Sequence, residues 1–165
     1  MLFKKSVLTI GLIAVFSLSA VQAQTLPKYR EISKQLVIEA KLALTSSKPE
    51  TALLLFERAI VADPANTQAL LGLGRTHELE GRIGRGLKYY RQALEIEPND
   101  KYALRDQALA FLKQDLMDRA DGNRAKLARL CPKGCEALER VEVALKAHIA
   151  EVDRKDIKTA EAPNG

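Results

Sequence analysis

The sequence predicts an all-α fold in which three antiparallel helix pairs stack on one another and a seventh helix closes the stack. The first observation is a period, because Pro64, Pro98 and Pro132 stand 34 residues apart twice over. The second is composition: the chain is 47% hydrophobic but only 5% aromatic, and strong helix formers dominate it. The third is that small residues recur at fixed places within the period.

Residues 1–23 have the pattern of a secretory signal peptide. Lys4 and Lys5 give a positive start, residues 7–20 form an uncharged apolar run, and Val21-Gln22-Ala23 places small residues where signal peptidase cuts. The run is shorter than the roughly 20 residues that a bilayer-spanning helix needs. We therefore expect cleavage before Gln24, no stable membrane anchor, and a periplasmic or secreted product. A retained anchor is the alternative.

After a lead-in at residues 24–32, the period divides residues 33–134 into three units, at 33–66, 67–100 and 101–134. In each unit two antiparallel helices, A and B, cross where the side chains are small, and larger side chains fill the space beside the crossing. The small positions are Ala40, Gly74 and Ala108 in the A helices, and Ala52, Gly86 and Ala120 in the B helices. Phe56 and Tyr90 recur one period apart, as do Ala59 and Ala93.

Helix boundaries are marked by capping residues and by proline. Ser47-Lys48-Pro49-Glu50 has the form of a capping box, and Asn66 and Asp100 can cap the A helices that follow them. Because proline lacks a backbone donor and disfavours helix in the preceding residue, each B helix should end just ahead of its proline.

The third unit departs from the usual repeat pattern, with Gln107 where leucine is usual, Arg124 where an aromatic residue is usual and Leu127 where alanine is usual. Terminal repeats drift in this way because another element covers their outer face. The expected cover is a capping helix at residues 135–152. Its apolar stripe has helical spacing and consists of Leu138, Val141, Leu145, Ile149 and Val152. Residues 153–165 are polar and are expected to form a flexible tail.

The middle unit carries Leu73-Gly74, Gly81, Tyr90, Ala93 and Pro98 in places that identify a family. On these residues the chain resembles the tetratricopeptide-repeat family, and with its signal peptide it is similar to an exported bacterial member. The resemblance implies a right-handed α-solenoid whose A helices line a concave groove. It also implies that the groove binds a peptide or protein segment and that the protein is not an enzyme.

The resemblance assigns the groove-lining places in the A helices. The chain fills the principal ones with Lys34, Val37, Lys41, Leu71, Arg75, Leu79, Tyr102, Arg105, Leu109 and Lys113. Five of these residues are cations, against one acid, Glu78, elsewhere in the lining. We therefore expect a partner with acidic and apolar side chains, the alternative being that the cations form a solvated helix face. The two-carboxylate clamp of chaperone-binding members is not predicted, since Val37 and Leu44 stand where polar clamp residues are needed.

Cys131 and Cys135 flank a Pro-Lys-Gly turn and are the one local motif with chemical potential. In an oxidising compartment two cysteines this close most simply form a disulfide. A redox-active pair and a copper or other soft-metal site are the alternatives, although His148 lies too far along the capping helix to join Cys135 as a ligand. His77 occupies a place where the family packs an aromatic ring, so core packing is expected.

The remaining patterns give no catalytic set, no metal site and no cofactor. The formal net charge is +5, and removing Lys4 and Lys5 leaves +3, with acids and bases interspersed along the chain. Nucleic-acid binding is therefore not expected. The leading hypothesis is an exported protein-interaction module that supports an envelope or secretion assembly. The alternatives are a thiol-redox or metal-handling protein acting through the cysteine pair and an inert structural spacer. The sequence does not determine the oligomeric state.

Overall fold

The computed structural model describes residues 26–160, with side chains to Lys155. The predicted signal peptide lies outside the described residues. Every regular element within residues 26–160 is an α-helix. The helices are α1 (Pro27–Thr45), α2 (Pro49–Ala62), α3 (Thr67–Leu79), α4 (Ile83–Ile96), α5 (Lys101–Leu112), α6 (Met117–Leu130) and α7 (Glu136–Ala160).

The helices pair in chain order and the pairs stack. α1 packs on α2, α3 on α4 and α5 on α6, while α2 contacts α3 and α4 contacts α5. The A helices α1, α3 and α5 also contact one another in sequence along the stack, and α7 packs against both α5 and α6. This confirms the α-solenoid. α7 covers the last pair as the A helix of a further unit would.

Glycine allows the helices of the middle unit to approach closely. A Cβ atom at Gly86 would lie 2.9 Å from the carbonyl oxygen of Gly74, and one at Gly74 would lie 2.3 Å from the ring of Tyr90. At the junction of the first two units, a Cβ atom at Gly72 would lie 2.2 Å from the ring of Phe56. The predicted small positions are all buried, as are Phe56 and Tyr90.

Helix ends follow the prolines, with one correction at the capping residues. α2, α4 and α6 each end two residues ahead of their proline. Asn66 accepts a hydrogen bond from the Ala69 amide at 3.2 Å, and Asp100 accepts from the Tyr102 amide at 2.7 Å. The capping box at Ser47 is wrong. Lys48 is the N-cap of α2 and makes no side-chain cap bond, because Ser47 has a positive φ of 56° in the turn that leaves α1.

Two helices are longer than the sequence predicted. α1 begins at Pro27, within the expected lead-in, because proline suits the first turn of a helix where no amide donor is needed. α7 continues to Ala160, so residues 153–160 are helical rather than a tail. Lys155 and Glu151 form an i,i+4 ion pair at 2.8 Å, which supports this extension.

The departures of the third unit have local explanations. Gln107 accepts a hydrogen bond from Asn123 at 2.9 Å, which ties α5 to α6 by a polar contact at the position where the middle unit buries Leu73. Leu127 is buried in a cluster with Ala137, Leu138 and Val141 of α7, so a larger residue than alanine fills the space. Cys131 and Cys135, which join α6 to α7, are paired with their Cα atoms 5.8 Å apart.

A concave groove between the A helices and α7

The described part of the chain contains a cavity of about 940 Å³ on the concave side of the stack. It is lined by Leu44 of α1, three residues of α3, Tyr90 of α4, four residues of α5, two residues that follow α5, and one face of α7 between Arg140 and Lys155. Its apolar lining residues are Leu44, Leu79, Leu109, Leu112, Ala144, Ala147 and Val152. Leu79 is 73% exposed, which is high for a leucine inside a recess and leaves it available for contact.

The predicted groove residues fall into three groups. Arg75, Leu79, Arg105, Leu109 and Lys113 line the cavity as expected. Lys34, Lys41 and Tyr102 are exposed but lie outside the cavity. The assignment of Val37 and Leu71 is corrected, because both are buried in apolar clusters between helices. Both residues lie at the edge of the concave face, and their apolar side chains pack against the neighbouring helices instead of lining the groove.

α7 forms one wall of the groove, which the sequence analysis did not predict. Arg140, Ala144, Ala147, His148, Glu151, Val152 and Lys155 line the cavity from that side. Ile149 is exposed on another side of α7, so the apolar stripe serves the core only as far as Leu145. The sequence does indicate that α7 occupies the place of a fourth A helix. Ala137 and Ala144 stand one 34-residue period after Ala103 and Ala110, so they continue the pattern of the A helices.

Asp106 holds two of the expected cations. Its carboxylate accepts a hydrogen bond from Arg75 Nε at 2.6 Å and from Arg105 Nε at 2.8 Å. Asp106 and Arg105 are both buried, and the Arg105 guanidinium also lies 5.2 Å from the centre of the Tyr102 ring. Buried charges need partners of this kind to offset lost hydration. Asp106 therefore ties α3 to α5 and neutralises charge at the floor of the groove.

Glu78 binds Lys113, the third cation, and connects the groove to the place where α3 and α4 cross at Gly74 and Gly86. Its Oε2 accepts a hydrogen bond from Lys113 Nζ at 2.7 Å, and its Oε1 accepts one from the Tyr90 hydroxyl. Burial and this hydrogen bond raise the pKa of Tyr90 well above its ordinary value, so the phenol remains a proton donor. These hydrogen bonds connect Tyr90 of α4, through Glu78 of α3, to Lys113 at the end of α5.

The groove does not carry the expected excess of positive charge. Its lining holds five cations, Arg75, Arg105, Lys113, Arg140 and Lys155, and four acids, Glu78, Asp106, Asp115 and Glu151. The formal balance of these nine residues is 5 − 4 = +1. The Nε2 atom of His148 lies 3.4 Å from the Asp115 carboxylate.

His77 packs in the core as expected. It is buried, it stacks on Tyr89 with ring centres 5.4 Å apart, and its Nδ1 accepts a hydrogen bond from Arg82 at 3.0 Å. Burial lowers the pKa of His77, and the Arg82 charge lowers it further. Between residues 26 and 160 no group of three or more His, Cys, Asp or Glu side chains is placed to hold a metal ion. No helix in that same range is long and apolar enough to cross a membrane.

The fold and groove define a helical-repeat protein, and comparison with known proteins supports the tetratricopeptide repeat. Residues 39–101 match a family model described as tetratricopeptide repeat. A curated relative is the tetratricopeptide repeat and J domain-containing co-chaperone DNJ1 of Fusarium oxysporum f. sp. lycopersici, which is 27% identical over 143 residues. The match takes in 87% of this chain but 27% of that protein, so the chain spans about a quarter of its relative's length.

Solved structures share the fold. The type III secretion translocator chaperone SycD of Yersinia enterocolitica aligns with a TM-score of 0.66 and 21% identity, covering 73% of this chain and 94% of that one. SycD in complex with a peptide of the translocator YopD aligns at 0.63 and 21%, over 72% and 92% of the two chains. The first repeat domain of Spaghetti (RPAP3), bound to an HSP90 peptide, aligns at 0.64 and 14%, over 72% and 94%.

Replacing Asp106 with Asn should destabilise the protein, because Arg75 and buried Arg105 lose the charge that both share. The expected loss is roughly 3 kcal/mol in the free energy of unfolding, measured by urea denaturation. Arg91→Gln is the matched control, since Arg91 lies 3.9 Å from Glu95 and both side chains are well exposed. The control should change stability by less than about 1 kcal/mol. Equal effects from the two substitutions would contradict a structural role for Asp106.

Proposed function

We propose that this protein is a protein-interaction module that binds a peptide or protein segment in the groove between α3, α5 and α7. The observation that carries the proposal is the open recess lined by Leu44, Leu79 and Leu109 and walled by small residues of α7. Leu79 is the most exposed of them, and an exposed apolar side chain inside a concave site is suited to contact with a partner.

Proteins of the same fold support this proposal. SycD was solved with a peptide of YopD, and a repeat domain of Spaghetti (RPAP3) was solved with an HSP90 peptide. The resemblance lies in the fold, so the partner of this chain must follow from its own residues. A role in an envelope or secretion assembly stays part of the proposal.

The pairing of groove cations sets the chemistry of the partner. Arg75 and Lys113 are already bonded to Asp106 and Glu78, so an acidic partner side chain would share them rather than meet a bare charge. Lys34 and Lys41 remain exposed on α1. We therefore propose a segment whose apolar side chains lie against Leu79 and Leu109 and whose acidic side chains point toward α1. Exposed ion pairs contribute only about 0–1 kcal/mol each, so the apolar contacts dominate affinity.

We propose a binding role without catalysis, and we interpret the cysteine pair as structural. Cys131 is buried and Cys135 is partly buried at the junction of α6 and α7, and neither lines the groove. A buried sulfur is poorly placed for exchange with an external thiol. A disulfide there would fix the start of the helix that forms the groove wall.

We further propose that the protein is exported, following removal of residues 1–23. Expression with its own leader in a Gram-negative host should give a periplasmic or secreted product that begins at Gln24. N-terminal sequencing of the fractionated protein checks this. An uncut chain retained in the membrane fraction would contradict export by cleavage and would support a retained anchor.

The groove is tested with Leu79→Asp and a matched control, Val61→Asp. Val61 is 84% exposed on α2 and lies outside the cavity, so both substitutions place a charge at an exposed apolar position. Peptides selected from a phage-displayed random library against the full exported chain should bind the Leu79→Asp variant at least about tenfold more weakly, since a charge would face the apolar anchor. The Val61→Asp variant should bind them like wild type.

Isothermal titration calorimetry with the selected peptides measures the difference. Peptides that bind all three proteins equally would show that the recess is not the binding site. Selection of peptides without apolar side chains would contradict the proposed partner chemistry.

A further inference from the structure

One face of each A helix is the stacking face, meaning the face that packs against the preceding helix pair. The 34-residue period defines it by corresponding positions in the three units. These are Ala69, Gly72 and Thr76 in α3, Ala103, Asp106 and Ala110 in α5, and Gln35, Ile38 and Leu42 in α1.

In the second and third units the stacking face is covered. The ring of Phe56 in α2 lies directly on Gly72, and Ala69 belongs to the same buried cluster. Ala103 and Ala110 are buried with Leu70 and Tyr90 of the preceding unit. Asp106 at the central position binds Arg75 across the junction. Each of these faces therefore meets a neighbouring helix pair.

In the first unit the same face is open. Ile38 is 53% exposed and Leu42 is 61% exposed, and Gln35 is exposed as well. The opposite end of the stack differs, because α7 buries Leu138, Val141 and Leu145 against the last pair. The described chain thus covers one end of its solenoid and leaves large apolar side chains on the other.

The open face has the spacing of a two-helix contact. Gln35, Ile38, Leu42 and Thr45 follow one another at intervals of 3, 4 and 3, the a and d positions of a heptad. All four are exposed. Lys34 and Glu39 flank them on opposite sides, at the g and e positions. The bulk of Ile38 and Leu42 is unsuited to the close approach that Gly72 permits, so the face fits a side-by-side helix contact rather than another repeat.

We propose that the stacking face of α1 binds the same face of a second copy of this chain, with the two α1 helices parallel about a two-fold axis. In that arrangement Ile38 and Leu42 meet their own copies. Lys34 lies opposite Glu39 of the second copy, five positions further along, and the pair occurs twice by symmetry. Within one chain the contacts that these charges make are weak: Lys34 lies 3.4 Å from exposed Glu31, and Glu39 accepts from Gln35 at 3.4 Å.

Sedimentation velocity on the full exported chain over a concentration series tests the proposal. Wild type should shift from the mass of one chain to that of two as concentration rises. Ile38→Asp should remove the shift, and because the side chain is exposed the fold should survive, as circular dichroism will show. Val61→Asp, an exposed apolar site away from this face, should dimerise like wild type. A single-chain mass for wild type at every concentration would overturn the proposal, as would a dimer that Ile38→Asp leaves intact.

Charge exchange tests the orientation. Lys34→Glu or Glu39→Lys alone should weaken the dimer, because each places like charges together at two sites. The double variant should restore it, since the pairs form with their signs reversed. Failure of the double variant to recover would exclude the parallel arrangement. The test of the groove uses Leu79→Asp, and the test of dimerisation uses Ile38→Asp, so the two proposals can fail separately.

Discussion

The close crossing of α3 and α4 is the constraint on which the other features depend. No side chain separates the helices where Gly86 faces the carbonyl of Gly74, and the ring of Tyr90 fills the space beside that contact. The same ring places its hydroxyl on Glu78, which in turn holds Lys113 at the edge of the groove. Interior packing tolerates little added volume. The separation of one helix pair is therefore coupled to the position of charges on the concave face.

The two junctions between units bring helix pairs into contact at the same position of the repeat but use different side chains. Phe56 lies over Gly72 at the first junction, whereas Asp106 binds Arg75 at the second. A polar junction at this point neutralises cations that would otherwise define the groove, and the recess becomes an apolar site with nearly balanced charge. α7 completes it by serving both as cover for the last pair and as a wall. For the proposed partner, apolar contacts are therefore expected to contribute more than attraction of acidic side chains.

The 34-residue period predicted the features that recur in every unit. It did not predict side-chain contacts that occur at one position only. The prolines, the buried small residues and the caps at Asn66 and Asp100 follow from local rules, so they could be read from the sequence. The assignment of Val37 and Leu71 to the groove was wrong because a position in the repeat indicates which side of the helix a residue lies on. It does not indicate how closely a neighbouring helix covers that residue. The bonds from Asp106 to Arg75 and from Glu78 to Lys113 join residues 31 and 35 positions apart, and only the stacking of units brings them together.

Two alanine substitutions on α4 test the crossing most directly. Gly84 and Gly86 lie on the same helix, but a Cβ atom at Gly84 would have no heavy atom within 4 Å, whereas one at Gly86 would meet the Gly74 carbonyl. Urea unfolding should show Gly84→Ala stabilised by at most about 0.5 kcal/mol, because Gly84 lies in the first turn of α4, and Gly86→Ala destabilised by about 1–3 kcal/mol from overpacking. Equal stabilisation of both variants would show that the helices do not need glycine to cross, and would contradict the account.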